Sequence, residues 1–237
     1  GAAPSYFIGG AVPGFPTSLR RGTGAVSIVE GDEYDSAFFA KVPKFSFYAA
    51  DTLVVTSIEY DHADIYPDLE AITREFTRYV CSRPTHGRII ACADDETIGR
   101  LLPEWRKAAN GQVISYGINE AADVRISGFS ADGVKTSAWV TLEDGNRVCL
   151  SLAIPGLHNM RNAVAILTAL RSVGLPTEKL LKSASSFTGV RRRQEVRWSS
   201  EEVVLIDDFA HHPTAVRATI QAIRERYPNR QLTAVFE

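Results

Sequence analysis

Cysteine is scarce in this chain, with three residues among 237: Cys81, Cys92 and Cys149. They are far apart, odd in number and form no CxxC pair. This excludes a disulfide framework and a thiolate zinc ribbon, and it fits a reducing, cytoplasmic compartment in which all three are buried or incidental thiols. Net charge is scarce too. A balance of −2 carries no electrostatic footprint for nucleic acid. No apolar run approaches the roughly 20 residues that span a bilayer. The opening "GAAPSYFIGG" lacks the basic and long apolar regions of a secretory signal. There is no GxxxxGK[ST] phosphate loop, no internal repeat and no low-complexity segment. Neither a nucleic-acid nor a membrane partner is expected, and nothing in the sequence bears on oligomeric state.

What is present is ordinary globular material, 45% hydrophobic and 23% charged, enough for one large domain or one and a half smaller ones. Short apolar runs alternate with helical patterns in the first half. "GAVSIVE" (24–30) and "DTLVVTSIE" (51–59) have the continuous apolar character of strands buried on both faces of a parallel sheet. "DLEAITREFTRYV" (68–80) places Leu69, Ile72, Phe76 and Tyr79 or Val80 at helical spacing after Pro67. "GRIIACA" reads as a strand, "ETIGRLLPEWRKAA" as a helix interrupted or kinked at Pro103, and "GQVISYG" as a strand. This alternation predicts a doubly wound α/β layer.

The pattern then changes. "ADG" and "EDG" punctuate alternating strands between residues 123 and 156, which predicts antiparallel hairpins. Helices are expected over 158–174, with Gly174 as the stop, and from Pro176. "VRRRQEVRW" and "EEVVLIDDFA" open a further β section, followed by a helix from His212 and a strand at "QLTAVFE". The expected fold is α/β: a mostly parallel doubly wound sheet with an antiparallel hairpin section over 1–189, then the start of a Rossmann-like domain over 190–237. Both ends read as cut through a strand, as in a piece of something longer.

Polar residues gather where these strands end. "TSIEYDHADIY" (56–66) is the densest stretch. If its strand persists, Ser57, Glu59 and Asp61 point one way and Ile58, Tyr60 and His62 the other. Glu59 and His62 then cannot chelate one ion, and the partner of His62 should come from a neighbouring strand end. Glu30 is placed for that, and the pair would suit Mg²⁺ completed by water and substrate oxygens. Alternatively His62 caps the next turn and Glu30 is solvated, which spacing alone favours. "EGDEYD" (30–35) carries four acids in six residues, suited to a solvated loop or to a cation.

In "PGLHNMRNA" (155–163), His158 and Asn162 share one face at a helix start, where Asn can offer a donor and an acceptor to an adenine edge. Capping by Asn159 is the plainer account. "RRR" (191–193) is either solvated surface or a bidentate phosphate contact at a hinge. In "IDDFAHHPT" (206–214) the acids are helix caps or ribose acceptors, and the adjacent histidines should diverge rather than share an ion.

Five ordered motifs, "EGDEYD", "SIEYDHAD", "GLHNMRNA", "VRRRQE" and "DDFAHHPT", together resemble the Mur ligase family of peptidoglycan enzymes. The resemblance covers essentially the whole chain. It implies most of the ATP-binding central domain, with the phosphate loop upstream of Gly1, and the first part of the carboxy-terminal domain. It implies ATP and Mg²⁺ as cofactors. Glu30 and His62 match magnesium ligands, and His158 and Asn162, with Asn159 beside them, match the adenine contacts. Arg193, or Arg192 if the register slips by one, matches the linker arginine near the ATP phosphates. Asp208 matches the acid that holds the ribose, and His211 shares its interdomain motif. Within the family, details such as the triple arginine most resemble members that join UDP-N-acetylmuramate to L-alanyl-γ-D-glutamyl-meso-diaminopimelate in peptidoglycan recycling. Members that add L-alanine are the alternative.

Two departures stand out. Ser57 replaces a frequent Asn. Thr77, flanked by Phe76 and Arg78, occupies the place of a lysine that some members carbamylate, so no carbamate is assigned. A metallohydrolase using His62 and His211, or a non-catalytic nucleotide-binding module, are the competing classes. The chain by itself is expected to lack ligase activity.

Overall fold

The computed structural model describes residues 3–33, 35–37, 40–63, 65–83, 86–109, 112–133 and 135–236. Near the amino terminus, β1 (Ser5–Phe7), β2 (Leu19–Arg20) and β3 (Ser27–Val29) form a small sheet in the order β2-β1-β3. β1 runs parallel to β3 and antiparallel to β2. β4 (Asp35–Ala37) and β5 (Ala40–Pro43) make a separate antiparallel pair, followed by a 3-10 turn at Lys44–Phe47.

The main sheet has six strands: β6 (Thr52–Val55), β7 (Arg88–Cys92), β8 (Gln112–Gly117), β9 (Val124–Ala131), β10 (Thr136–Thr141) and β11 (Arg147–Leu152), in the order β11-β10-β9-β8-β7-β6. The pairs from β6 to β9 are parallel, and β10 and β11 extend the sheet antiparallel. α1 (Leu69–Cys81) and α2 (Glu96–Ala108) cross between the parallel strands. Each starts on an aspartate that accepts a backbone N–H, Asp68 from Ala71 (2.7 Å) and Asp95 from Ile98 (2.8 Å). α3 (Leu157–Ser172) packs against β6 to β10, and α4 (Thr177–Ser185) against β11.

The core lies in this layer. Ile89, Ile90, Tyr116, Val124 and Ile126 of the strands are buried with Ile98 and Trp105 of α2 and Met160 and Val164 of α3. α2 runs on through Pro103, anchored on either side by the buried Ile98 and Trp105. The Trp105 indole N–H donates to Thr77 Oγ1 (3.0 Å), so Thr77 serves as the acceptor for a buried donor.

The carboxy-terminal segment is thinner. β12 (Glu195–Ser199) and β13 (Val204–Asp207) pair antiparallel, and α5 (Pro213–Arg226) follows, with Ala222 as its one buried residue. No helix among the described residues is long and apolar enough to cross a membrane.

Three strand expectations are corrected. "GAVSIVE" shrinks to β3, all of it exposed and outside the main sheet, because it pairs with β1 alone among the described residues. β6 is an edge strand that stops at Val55, so the alternation projected through residue 61 does not exist. Residues 231–236 form no strand. They find no pairing partner among the described residues, and Val235 is 92% exposed.

Candidate functional site

Beyond β6 the chain leaves the sheet and makes a polar turn. His62 takes a left-handed backbone (φ +54°), and its carbonyl accepts the N–H groups of Ile65 (2.8 Å) and Tyr66 (3.0 Å). The turn-capping account of His62 therefore holds for its main chain. Its side chain has a separate task. His62 Nε2 lies 3.6 Å from Glu33 Oε1 and 3.5 Å from Asp61 Oδ2, and the ligand atoms of these three residues lie within 4.8 Å of one another. Asp61 also accepts the His62 N–H through Oδ1 (2.7 Å).

The carboxylates brought to His62 are thus Glu33 and Asp61. The expected partner, Glu30, closes the end of β3, where its carboxylate accepts the Gly9 N–H. The difference follows from the strand correction: β3 and β6 belong to different sheets, so their ends are not neighbours in one ladder. Two carboxylates and one imidazole with open sides fit Mg²⁺, which takes one or two carboxylates and keeps several waters. Asp64 lies outside the described residues.

α3 builds the second part of the site. Its N-cap is Gly156 (φ +99°), where a Cβ would meet the His158 ring at 2.6 Å, so only glycine permits this entry. The Asn159 amide donates to Pro155 O (2.6 Å) and does not cap the helix. His158 is partly buried, and its Nε2 sits 3.2 Å from Gln194 Nε2. Burial pushes the His158 pKa down, opposed by the nearby Asp208 carboxylate. The Gln194 side-chain amide is within hydrogen-bond reach of His158 Nε2, with the donor set by the ring's tautomer. Asn162, four residues on, is exposed and its amide has no partner among the described residues.

The linker and the segment after β13 complete the junction. Arg192 and Gln194 are also left-handed (φ +58° and +52°). Asp208 holds this shape: Oδ2 accepts the Gln194 N–H (2.8 Å), while Oδ1 accepts the Ala210 N–H (2.8 Å) and the Thr219 hydroxyl (3.3 Å). The Arg192 and Arg193 guanidinium groups stand 5.1 and 5.4 Å from the Phe209 ring centroid. Arg192 faces Asp207 (3.8 Å), whereas Arg193 is exposed with no carboxylate partner among the described residues. His211 Nδ1 contacts Phe209 O (3.0 Å), and His212 Nε2 reaches across to Asp61 Oδ2 (3.2 Å). The turn after β6 and the segment after β13 therefore meet at Asp61.

Sequence reasoning missed Glu33, Gln194 and His212 as contact makers, and it missed the post behind α3. Asp94, whose side chain is 6% exposed, accepts the N–H groups of Ile118 (2.9 Å) and Asn119 (2.9 Å) and the Arg161 Nε (2.6 Å). A Cβ at Gly117 (φ +154°) would strike this carboxylate at 2.4 Å. Arg161 sits between His158 and Asn162, so Asp94 sets how α3 presents both. The signal available was an acid directly after a buried strand.

The site is an α/β layer with acids and an imidazole beyond its strand ends, joined through an arginine-rich linker to a second β segment. Residues 19–170 match the Mur ligase middle domain and residues 192–237 the Mur ligase glutamate ligase domain, and the chain belongs to the Mur ligase family. Mur ligases are ATP-dependent ligases. The chain is 34% identical over 237 residues to the UDP-N-acetylmuramate–L-alanine ligase of Salinibacter ruber, covering all of this chain and 48% of that protein. Among solved structures it is similar to the murein peptide ligase of Psychrobacter arcticus (27% identity, TM-score 0.73, covering 96% of this chain and 50% of that one). It is also similar to the UDP-N-acetylmuramate:L-alanyl-γ-D-glutamyl-meso-diaminopimelate ligase of Neisseria meningitides (30% identity, TM-score 0.69, 81% and 60%). The chain spans about half the length of the curated relatives it matches.

Proposed function

We propose that this chain is the central and early carboxy-terminal part of a cytoplasmic, ATP- and Mg²⁺-dependent ligase that forms an amide on UDP-N-acetylmuramate in peptidoglycan metabolism. The observation that carries this reading is the convergence of the motifs at one junction. Asp61 meets His212, and His158 meets Gln194, which Asp208 holds. A central-domain surface and a linker so placed can close on a nucleotide between them.

In this reading α3 presents Asn162 to the adenine edge, with His158 neutral beside it and Asn159 bracing the helix entry. Asp208, though it already accepts three hydrogen bonds, keeps acceptor capacity for a ribose hydroxyl. Arg193, over the Phe209 ring and without a carboxylate partner among the described residues, is the guanidinium for the phosphates, with Arg192 engaged to Asp207. His62 and Glu33, with Asp61, would hold Mg²⁺, while Glu30, the carboxylate the family motif names, closes β3 in a separate sheet with its carboxylate on the Gly9 N–H. Bound there, Mg²⁺ would neutralise charge on the transferring phosphoryl group. His211 faces the junction from the carboxy-terminal side.

The chemistry is a carboxylate oxygen attacking the γ-phosphorus and releasing ADP. The amine nitrogen then attacks the acyl carbon, and phosphate leaves with that carboxylate oxygen. For the amine, the relatives favour L-alanine: those cited at 30–34% identity over essentially the whole chain are UDP-N-acetylmuramate–L-alanine ligases. The tripeptide, favoured by the motif details, is the second reading, supported by the two murein ligase structures. With ¹⁸O in the muramate carboxylate, the full-length protein should release labelled phosphate; unlabelled phosphate would sink the acyl-phosphate route.

A further inference from the structure

A second polar cluster shares Asp61 with the first, through the same Oδ2 that faces His62. One ligand atom each from Asp61, His211 and His212 lies within 4.8 Å of the others. His212 Nε2 is 3.2 Å from Asp61 Oδ2, and the two imidazole rings lie 4.3 Å apart between centroids, tilted by 40°. Adjacent histidines diverge in an extended strand, but here the chain is bent. Ala210 donates to Asp208 Oδ1 in a tight turn, and His212 then enters α5 as its N-cap (φ −80°, ψ 142°), which brings one ligand atom of each ring within 4.8 Å of the other and of Asp61. Ligands about 2.1 Å from a tetrahedral ion sit roughly 3.4 Å apart, a spacing the Asp61–His212 contact already meets.

The tautomer of His211 adds an independent indication. Its Nδ1 is 3.0 Å from the Phe209 carbonyl, which can only accept, so Nδ1 carries a proton and, in the neutral ring, Nε2 is the lone-pair nitrogen. A ring N–H fixed on a backbone carbonyl, with the other nitrogen free, is the arrangement of metal-bound imidazoles. His211 is exposed while Asp61 and His212 are partly buried, which leaves an entry path and a free coordination position for water.

We propose that Asp61, His211 and His212 form a site for a borderline transition-metal dication such as Zn²⁺, which ties the carboxy-terminal segment to the central layer. Two imidazoles and one carboxylate select for nitrogen-preferring ions, whereas Glu33, Asp61 and His62 offer more oxygen and suit Mg²⁺. The inference rests on this geometry alone and does not depend on the ligase reading.

The test is titration of the 237-residue chain with Zn²⁺ by calorimetry and with Co²⁺ as an absorbing probe, in the presence of excess Mg²⁺. One equivalent should bind, with the visible bands of four-coordinate Co²⁺. His211→Ala and His212→Ala should each weaken binding by about 100-fold or more, beyond the roughly 10- to 100-fold expected for loss of a supporting partner. His62→Ala and Glu33→Gln should leave it in place. Zn²⁺ should also raise the thermal midpoint of the parent chain and not of the two variants, whose metal-free midpoints serve as folding controls. Absence of binding, binding unchanged in both the His211 and His212 variants, or binding lost on His62→Ala would each overturn the proposal.

Discussion

The main sheet and the domain junction are built from opposite materials. In the main layer, β7 and β8 are buried along most of their length, and Trp105 of α2, Tyr116, Ile90 and Met160 of α3 pack with little or no exposed surface. At the junction, contacts are made by Asp61, His158, Gln194, Asp208 and His212, most of them half-buried. Backbone strain follows the same division. The described non-glycine residues with positive φ are Ala3, His62, Arg192 and Gln194, and three of these four sit at the junction. Each such residue costs on the order of 1–3 kcal/mol, so the sheet supplies the stability that lets the junction hold an unfavourable shape.

That division can be broken most strongly from the core. Trp105→Ala removes a fully buried ring and strips Thr77 of its donor, and it should cost about 4 kcal/mol in urea unfolding. A loss below about 1 kcal/mol would mean the sheet is not the source of stability. Asp94→Ala tests the link between the two regions. It leaves two backbone N–H groups and Arg161 without their acceptor, at a cost of about 3 kcal/mol, and lets α3 tilt. ATP-analogue binding by the full-length protein should weaken as well; intact binding would show that α3 is held by packing alone.

His62→Ala acts on the junction by itself. In the full-length protein it should slow Mg²⁺-dependent positional isotope exchange in ATP by about 100-fold, or roughly 2.7 kcal/mol, with unfolding little changed. Unchanged exchange would remove His62 from the magnesium site. Gln194→Ala should cost about 1 kcal/mol of stability by removing the amide beside His158.

The smallest effect is a pH slope. Burial holds His158 below its ordinary pKa of about 6.5, so just below that pH the unfolded chain binds more protons than the folded one. Stability therefore falls as pH drops from about 6.5 toward the folded value and is unaffected by this group above it. His158→Gln should flatten that slope between about pH 7.5 and pH 5.5; an equal slope in both proteins would show that the ring is not shielded.

Elements whose signals are local were legible in the sequence. α1 and α2 start on aspartate caps beside periodic apolar residues, and β9 to β11 turn at "ADG" and "EDG". β3 was misjudged because an apolar run does not reveal whether a neighbouring strand covers it, and Ile28 and Val29 are 48% and 43% exposed. The site was legible as a set of motifs and not as a set of contacts. "EGDEYD" offers four acids, and only the path of the chain past β3 determines that Glu33 reaches His62. The meeting of Asp61 with His212 depends on a left-handed turn at one motif and a bend at the other, and neither is encoded in spacing.

The most direct test is phosphate release from ATP by the full-length protein given UDP-N-acetylmuramate and Mg²⁺, with L-alanine, with L-alanyl-γ-D-glutamyl-meso-diaminopimelate, or with neither. Release that requires UDP-N-acetylmuramate and Mg²⁺ and is driven by L-alanine is the predicted result. Release driven by the tripeptide alone would move the assignment to the second reading. No release with either amine, or release without Mg²⁺, would contradict the account.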